Sequence, residues 1–286
     1  MPTTYAHWRF GDRCINTLDT KYQEIIKKYR NEYDYGVHGP DVFFYYKVYK
    51  SNDITKYGTW MHDQPFYIHF EMFKRNLMKH DNKEAGLSYL LGFLSHFTLD
   101  SYCHSYIEHK VEEEGPAHLR IEGQFDRYFL IRDGYNPIRK SATFSLKPSN
   151  ACCHNVAQMY DLDEKITSKA MSDQLLYLNL LKDNSLPKRW VLNKTLTRAK
   201  ATKFIDLLIG DRNDPRCKVS NIRLDKYFQK ALEHYPILAE SLLTSLTSDK
   251  PLINYFNNTF SIKPGYKDIP LLKLKDELNY EVSFQE

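Results

Sequence analysis

The 286-residue chain is poor in cysteine and has no Cys-x-x-Cys pair. Cys14, Cys103, Cys152, Cys153 and Cys217 are an odd number in a chain too long to need disulfide staples. That excludes a disulfide framework and a thiolate metal site, and it points to a reducing, cytoplasmic setting. Met1–Asp12 lacks an apolar h-region, and no run of about 18 apolar residues occurs, so neither a secretory leader nor a transmembrane segment is expected. A strong charge of either sign is also missing. The 40 basic and 36 acidic residues are interspersed and leave a net +4, too little to support a stable nucleic-acid partner. The most basic interval, Lys188 to Lys218, is interrupted by Phe204–Leu208 and reads as a solvated helix face. There is no sustained period-2 alternation, no internal repeat and no low-complexity stretch. Nor is there a Glu-x-x-His pair, which disfavours a carboxylate-bridged di-iron bundle.

What is present is a helical pattern with ordinary globular composition, 42% hydrophobic and 27% charged, long enough to bury a full core. Apolar spacing predicts helices over 13–31, 64–79, 84–112, 117–131, 150–160, 165–183, 196–210 and 223–247. Ser141–Asn150 reads as a connector and Asp211–Pro215 as a turn. The expected architecture is all-α, one compact multi-helix domain over residues 1–248, with a surface-wrapping extension over 249–286. Tyrosine is abundant, with 22 Tyr beside 16 Phe. The clusters Phe43–Tyr46 and Trp60 to Tyr67 serve as helix-packing core, or as surfaces for stacking a base or contacting acyl chains.

The most informative stretch is Leu90–His104, where His96, Asp100 and His104 recur every four residues within an apolar run. That spacing stacks the three side chains on one helix face. Burying a polar group without a partner costs about 2–7 kcal/mol, so three on one buried face call for a common explanation, and a metal cluster supplies one. Beyond the Gly115-Pro116 break, His118 and Glu122 repeat the four-residue step on a second helix able to fold back antiparallel. Imidazole and carboxylate donors without thiolate suit zinc or a similar divalent ion in a catalytic role. The pairs His80/Glu84 and His109/Glu113 have the same spacing but sit in charged stretches and read as surface. Upstream, Asp41 follows Gly39-Pro40 at the head of an aromatic run, as a helix cap or a ligand. His62 and His69, nearly two helical turns apart, compete for one ligand position.

The order of His7, Gly39-Pro40-Asp41, His62, His96-xxx-Asp100-xxx-His104 and His118-xxx-Glu122 resembles the bacterial zinc-dependent phospholipase C family over about residues 1–130. That family is similar in turn to the fungal zinc-dependent single-strand nucleases. The resemblance implies an all-α zinc phosphodiesterase with two or three zinc ions per chain. Asp41, His62, His96 and Asp100 would hold one ion, and Asp100 would bridge to a second that takes His7 and the N-terminal residue. His104, His118 and Glu122 would hold the third. Asp41 and Asp100 are then the catalytic carboxylates, in hydrolysis of a phosphodiester, phospholipid or nucleotide, by metal-activated water. Two other readings stay open. One is an HD-type phosphohydrolase using His38, His62-Asp63 and Asp100. The other is a non-catalytic helical binding protein stabilised by its metal.

Overall fold

A computed structural model describes residues 4–140, 143–181, 186–198 and 213–283. It is all-α, and among the described residues there is no strand. The helices are α1 (Thr4–Ile15), α2 (Thr20–Lys28), α3 (Arg30–Val37), α4 (Asp53–Asp63), α5 (Phe66–Lys79), α6 (Lys83–Glu114), α7 (His118–Arg132), α8 (Asn150–Tyr160), α9 (Glu164–Leu181), α10 (Leu186–Arg198), α11 (Lys218–Thr247) and α12 (Leu274–Asn279). A 3-10 segment, Gly39–Tyr45, joins α3 to the α4 region. No described helix is long and apolar enough to cross a membrane.

The predicted helices over 64–79, 84–112, 117–131, 150–160, 165–183 and 223–247 correspond to α5, α6, α7, α8, α9 and α11. The single helix expected over 13–31 is instead three. α1 stops at Ile15, where the Thr17 hydroxyl donates to the Cys14 carbonyl, and α2 starts anew from the Asp19 carbonyl. α4 was not signalled by apolar spacing because it buries only Gly58, Met61 and His62; its start is set by Asn52, whose side chain accepts from Thr55 N at 3.0 Å. Of the helix expected over 196–210, residues 196–198 are the end of α10 and 199–210 lie outside the described residues, as do Ser141, Ala142, Asp211 and Arg212.

The 32-residue α6 is the axis of the fold. At 1.5 Å per residue it spans about 48 Å, and it is apolar or buried on every side, as a central helix must be. Asn82 caps its start by accepting from Ala85 N, and Gly115, left-handed at φ 76°, ends it. α3 lies against α6 with no side chain between them at one point: a Cβ on Gly36 would fall 2.2 Å from Tyr89 O, and one on Gly92 2.3 Å from Tyr33 O. This backbone contact sets His38–Asp41 over the His96 turn of α6. Gly39 completes the approach, since its φ of +50° suits glycine and a Cβ there would meet His96 Cδ2 at 2.5 Å. On the other side α11 packs along α6, and Tyr235 OH donates to Leu91 O at 3.1 Å. From Pro251 the chain crosses the bundle and inserts Tyr255, Phe256 and Phe260 into the core, and α12 is fastened by Glu277 to the fully buried Arg223 at 2.7 and 2.8 Å.

Candidate metal centre

Five elements converge on one buried point: the first turn of α1 (His7), the 3-10 segment (Asp41), the last turn of α4 (His62), the middle of α6 (His96, Asp100, His104) and the first two turns of α7 (His118, Glu122). Three ligand groups result: His7, His96 and Asp100; Asp41, His62 and His96; and His104, His118 and Glu122. Within each, the donor atoms lie within 4.8 Å of one another. The first two groups share His96, and Asp100 touches all three. Its Oδ1 is 3.1 Å from His7 Nε2 and 3.6 Å from His104 Nε2, while its Oδ2 is 3.1 Å from His96 Nε2. Asp41 Oδ1 stands 3.1 Å from His62 Nε2, and Glu122 Oε1 2.7 Å from His118 Nε2 and 3.5 Å from His104 Nε2.

Four imidazoles are oriented from behind. His96 Nδ1 donates to Val37 O at 3.1 Å, His62 Nδ1 to Gly58 O at 2.7 Å and His104 Nδ1 to Phe260 O at 2.6 Å, while His118 Nδ1 faces the Glu108 carboxylate. A ring that donates from Nδ1 presents a bare Nε2 lone pair on its other side, which is how metal-binding histidines are normally set. Apart from His118 Nε2 and Glu122 Oε1, which bond to each other at 2.7 Å, the facing atoms do not satisfy one another. Both nitrogens of His7, Nε2 of His62, His96 and His104, Asp41 Oδ1 and both oxygens of Asp100 are buried without a hydrogen bond. Buried polar atoms are seldom left so. The donor set, nitrogen and oxygen without sulfur, fits zinc.

Burial alone would neutralise Asp100 and Asp41. In Asp100 the effect is overridden by His104, His96 and His7, which hold its pKa well below the usual carboxylate value. Asp41 is likewise pushed up by burial and pulled down further by the adjacent His62, 3.1 Å away, and by His96. His7 is held below its ordinary value by burial and by His96, with which it stacks at 4.3 Å between ring centroids.

The family model of zinc-dependent phospholipase C matches residues 6–180. The chain belongs to that family. No curated protein and no solved structure matches it. Membership implies a hydrolase acting on phosphate esters. The match reaches beyond the ligand-bearing part, through α8 and α9, which carry no member of the three groups and pack under α5 and the 3-10 segment.

All eight ligand-type residues singled out in the sequence stand in these groups. His69 does not: its Nε2 bonds to Met61 O at 2.8 Å, so His62 is the one that faces Asp41. Of the HD-type constellation, Asp63 is exposed, and neither it nor His38 joins a group. The N-terminal residue lies outside the described residues. His80 and His109, read as surface, are buried and bond to the carbonyls of Asn155 and Ile269. Glu108, the partner that orients His118, was not recognised; its position ten residues before that histidine follows from the antiparallel turn of α6 into α7. Asp126 was missed too. Its carboxylate accepts from the backbone N of Tyr5 and Ala6 at 3.0 and 2.7 Å, which fixes the start of α1 and hence His7.

Proposed function

We propose that the protein is a zinc-dependent phosphodiesterase of phospholipase C type holding up to three ions, two among His7, Asp41, His62, His96 and Asp100 and one between His104, His118 and Glu122. The observation that supports this reading best is the inward set of His62, His96 and His104 Nε2 atoms, buried, unbonded and braced from behind, around the carboxylates of Asp41 and Asp100. Zinc held there supplies Lewis-acid polarisation of a phosphoryl oxygen and makes water an adequate nucleophile near neutral pH. The chain's own part is then orientation and charge. Asp100 addresses the ligand groups on both of its oxygens. Asp41, ionised and 4% exposed, is the carboxylate suited to accept a hydrogen bond from attacking water and take up its proton. His118 is the group's most exposed member, at 24%, and marks the side from which substrate enters.

The five cysteines, all buried free thiols, support a reducing and therefore cytoplasmic compartment. The substrate is a phosphodiester, and a panel divides the candidates. Metal analysis of the purified protein followed by assay on phosphatidylcholine vesicles, single-stranded DNA and a chromogenic phosphodiester tests the reading. Two or three zinc ions and hydrolysis of one substrate class are expected. A folded protein that stays metal-free when offered zinc would refute it, and bound zinc without any hydrolysis would favour the non-catalytic reading.

A further inference from the structure

The segment from Tyr255 to Ile269, well beyond the family-matched residues, is stitched along a single face of α6. The Tyr255 hydroxyl bonds to Ser101 Oγ at 2.9 Å, Phe260 O accepts from His104 Nδ1 at 2.6 Å, Lys263 N donates to Ser105 Oγ at 3.0 Å, and Ile269 O accepts from His109 Nδ1 at 3.0 Å. Positions 101, 104, 105 and 109 fall on one helical stripe, the same turns that carry the ligand His104. The residue at the centre of this strap, Phe260, is fully buried. Its ring stands 5.6 Å from that of His62 and 5.8 Å from that of His96, so one residue touches ligands of the paired groups with its side chain and the third group with its carbonyl.

We propose that this strap is a working part of the metal centre and that Phe260 is its positioning residue. Its carbonyl selects the His104 tautomer with Nδ1 protonated, which leaves the Nε2 lone pair toward Asp100 and Glu122, and its ring walls His62 and His96. The consequence is that a segment outside the family-matched core sets how tightly the third ion is held. The proposal rests on the zinc reading above.

Ser105 and His109 pin the strap without belonging to any ligand group, so Ser105→Ala, His109→Phe and the double variant loosen it from outside the centre. Full-length, zinc-loaded protein is titrated with a chelator while zinc release is counted, and the ¹⁵N spectrum of the histidine side chains is recorded with and without zinc. In the double variant one zinc should leave at about 10–100-fold lower chelator than in wild type, the range for loss of a partner behind a ligand, while the other zinc stays. The His104 Nδ1–H signal, protected in wild type, should exchange. Phe260→Leu, which keeps the carbonyl and shortens the ring, should weaken the ions held through His62 and His96. Unchanged release in both the double variant and Phe260→Leu would overturn the proposal, as would loss of all zinc in one step together with helicity. Wild-type protein that binds no zinc would sink the zinc reading instead; the His104 signal would still test the strap.

Discussion

Asp100→Asn isolates the carboxylate proposed to be shared between ions, because it keeps the shape of a fully buried side chain and changes only its charge and one donor atom. In the native protein Oδ1 faces His7 and His104, and Oδ2 faces His96. An amide offers one acceptor oxygen, so whichever way it turns, one ligand group meets an N–H donor instead of a lone pair. Partners behind metal ligands are worth about 10–100-fold in affinity, and a ligand shared by two ions is worth at least the upper figure for each. Together that is a factor of about 10⁴, or about 5.5 kcal/mol. At about 2–4 °C per kcal/mol for a domain of this size, Tm in zinc buffer should fall by roughly 10–20 °C. Glu122→Gln disturbs one group only and should cost about half as much. Tm by calorimetry in zinc and in chelator, with zinc counted on the same samples, checks both. Equal drops for the two variants would refute a shared role for Asp100, and a drop undiminished in chelator would show that the loss is not one of metal.

Gly39→Ala places a Cβ 2.5 Å from His96 Cδ2 on a residue at φ +50°, and should cost about 1–3 kcal/mol in denaturant unfolding and reduce bound zinc; wild-type zinc content would contradict the close fit of Gly39 against His96. Gly92→Ala must part α6 from Tyr33 O, 2.3 Å from the new Cβ, and should destabilise by about 1–3 kcal/mol, whereas a neutral result would contradict the backbone contact. In metal-free protein, burial lowers the His118 pKa but Glu122 and Glu108 outweigh it and raise it from 6.5 to about 9, while Glu122, raised by burial and lowered more by His118, goes from 4.5 to about 2. This pair therefore stabilises the metal-free fold most fully between pH 4.5 and 6.5, loses the His118 part as pH rises through about 9 and the Glu122 part as pH falls toward about 2. Zinc must displace the His118 proton, so affinity there should rise with pH up to about 9, with proton release seen by calorimetry in buffers of different ionisation enthalpy; pH-independent affinity near neutrality would count against the site.

The shared face of the candidate ligands on α6 was legible because a helix turns spacing into geometry, so that His96, Asp100 and His104 fall four residues apart on one side. The same held for His118 and Glu122 on α7. His7 and His62 carry no such local signal and were reached only through the order of ligand types along the chain. α1 was partly missed for a related reason: its buried side mixes Tyr5, Ala6, Phe10 and Cys14 with Thr4, His7, Arg9 and Gly11, so polar and small residues interrupt the apolar periodicity. The polar packing of α1 includes the candidate ligand His7, so the apolar rule is weakest next to the proposed site. The partners behind the ligands were invisible for another reason. Val37, Gly58 and Phe260 act through carbonyls that every residue possesses, and only the fold says which ones face a histidine.

These hidden partners also explain why the centre sits inside the bundle. A central helix that is buried on every side would ordinarily exclude three titratable side chains, since each polar atom left without a partner costs about 1–3 kcal/mol against a net stability of roughly 5–15 kcal/mol for a domain. Here His7, Asp41, His62, His96, Asp100 and His104 all keep such atoms, while the opposite nitrogens of His62, His96 and His104 are satisfied by backbone. The fold has thus spent its hydrogen bonds on orientation and left the inward atoms for a cation. A cation that satisfies them binds the folded chain and not the unfolded one, so its binding free energy adds directly to folding. If the proposed ions bind there, the helices that meet at the centre, α1, α4, α6 and α7, together with the strap over α6, would be held together by them.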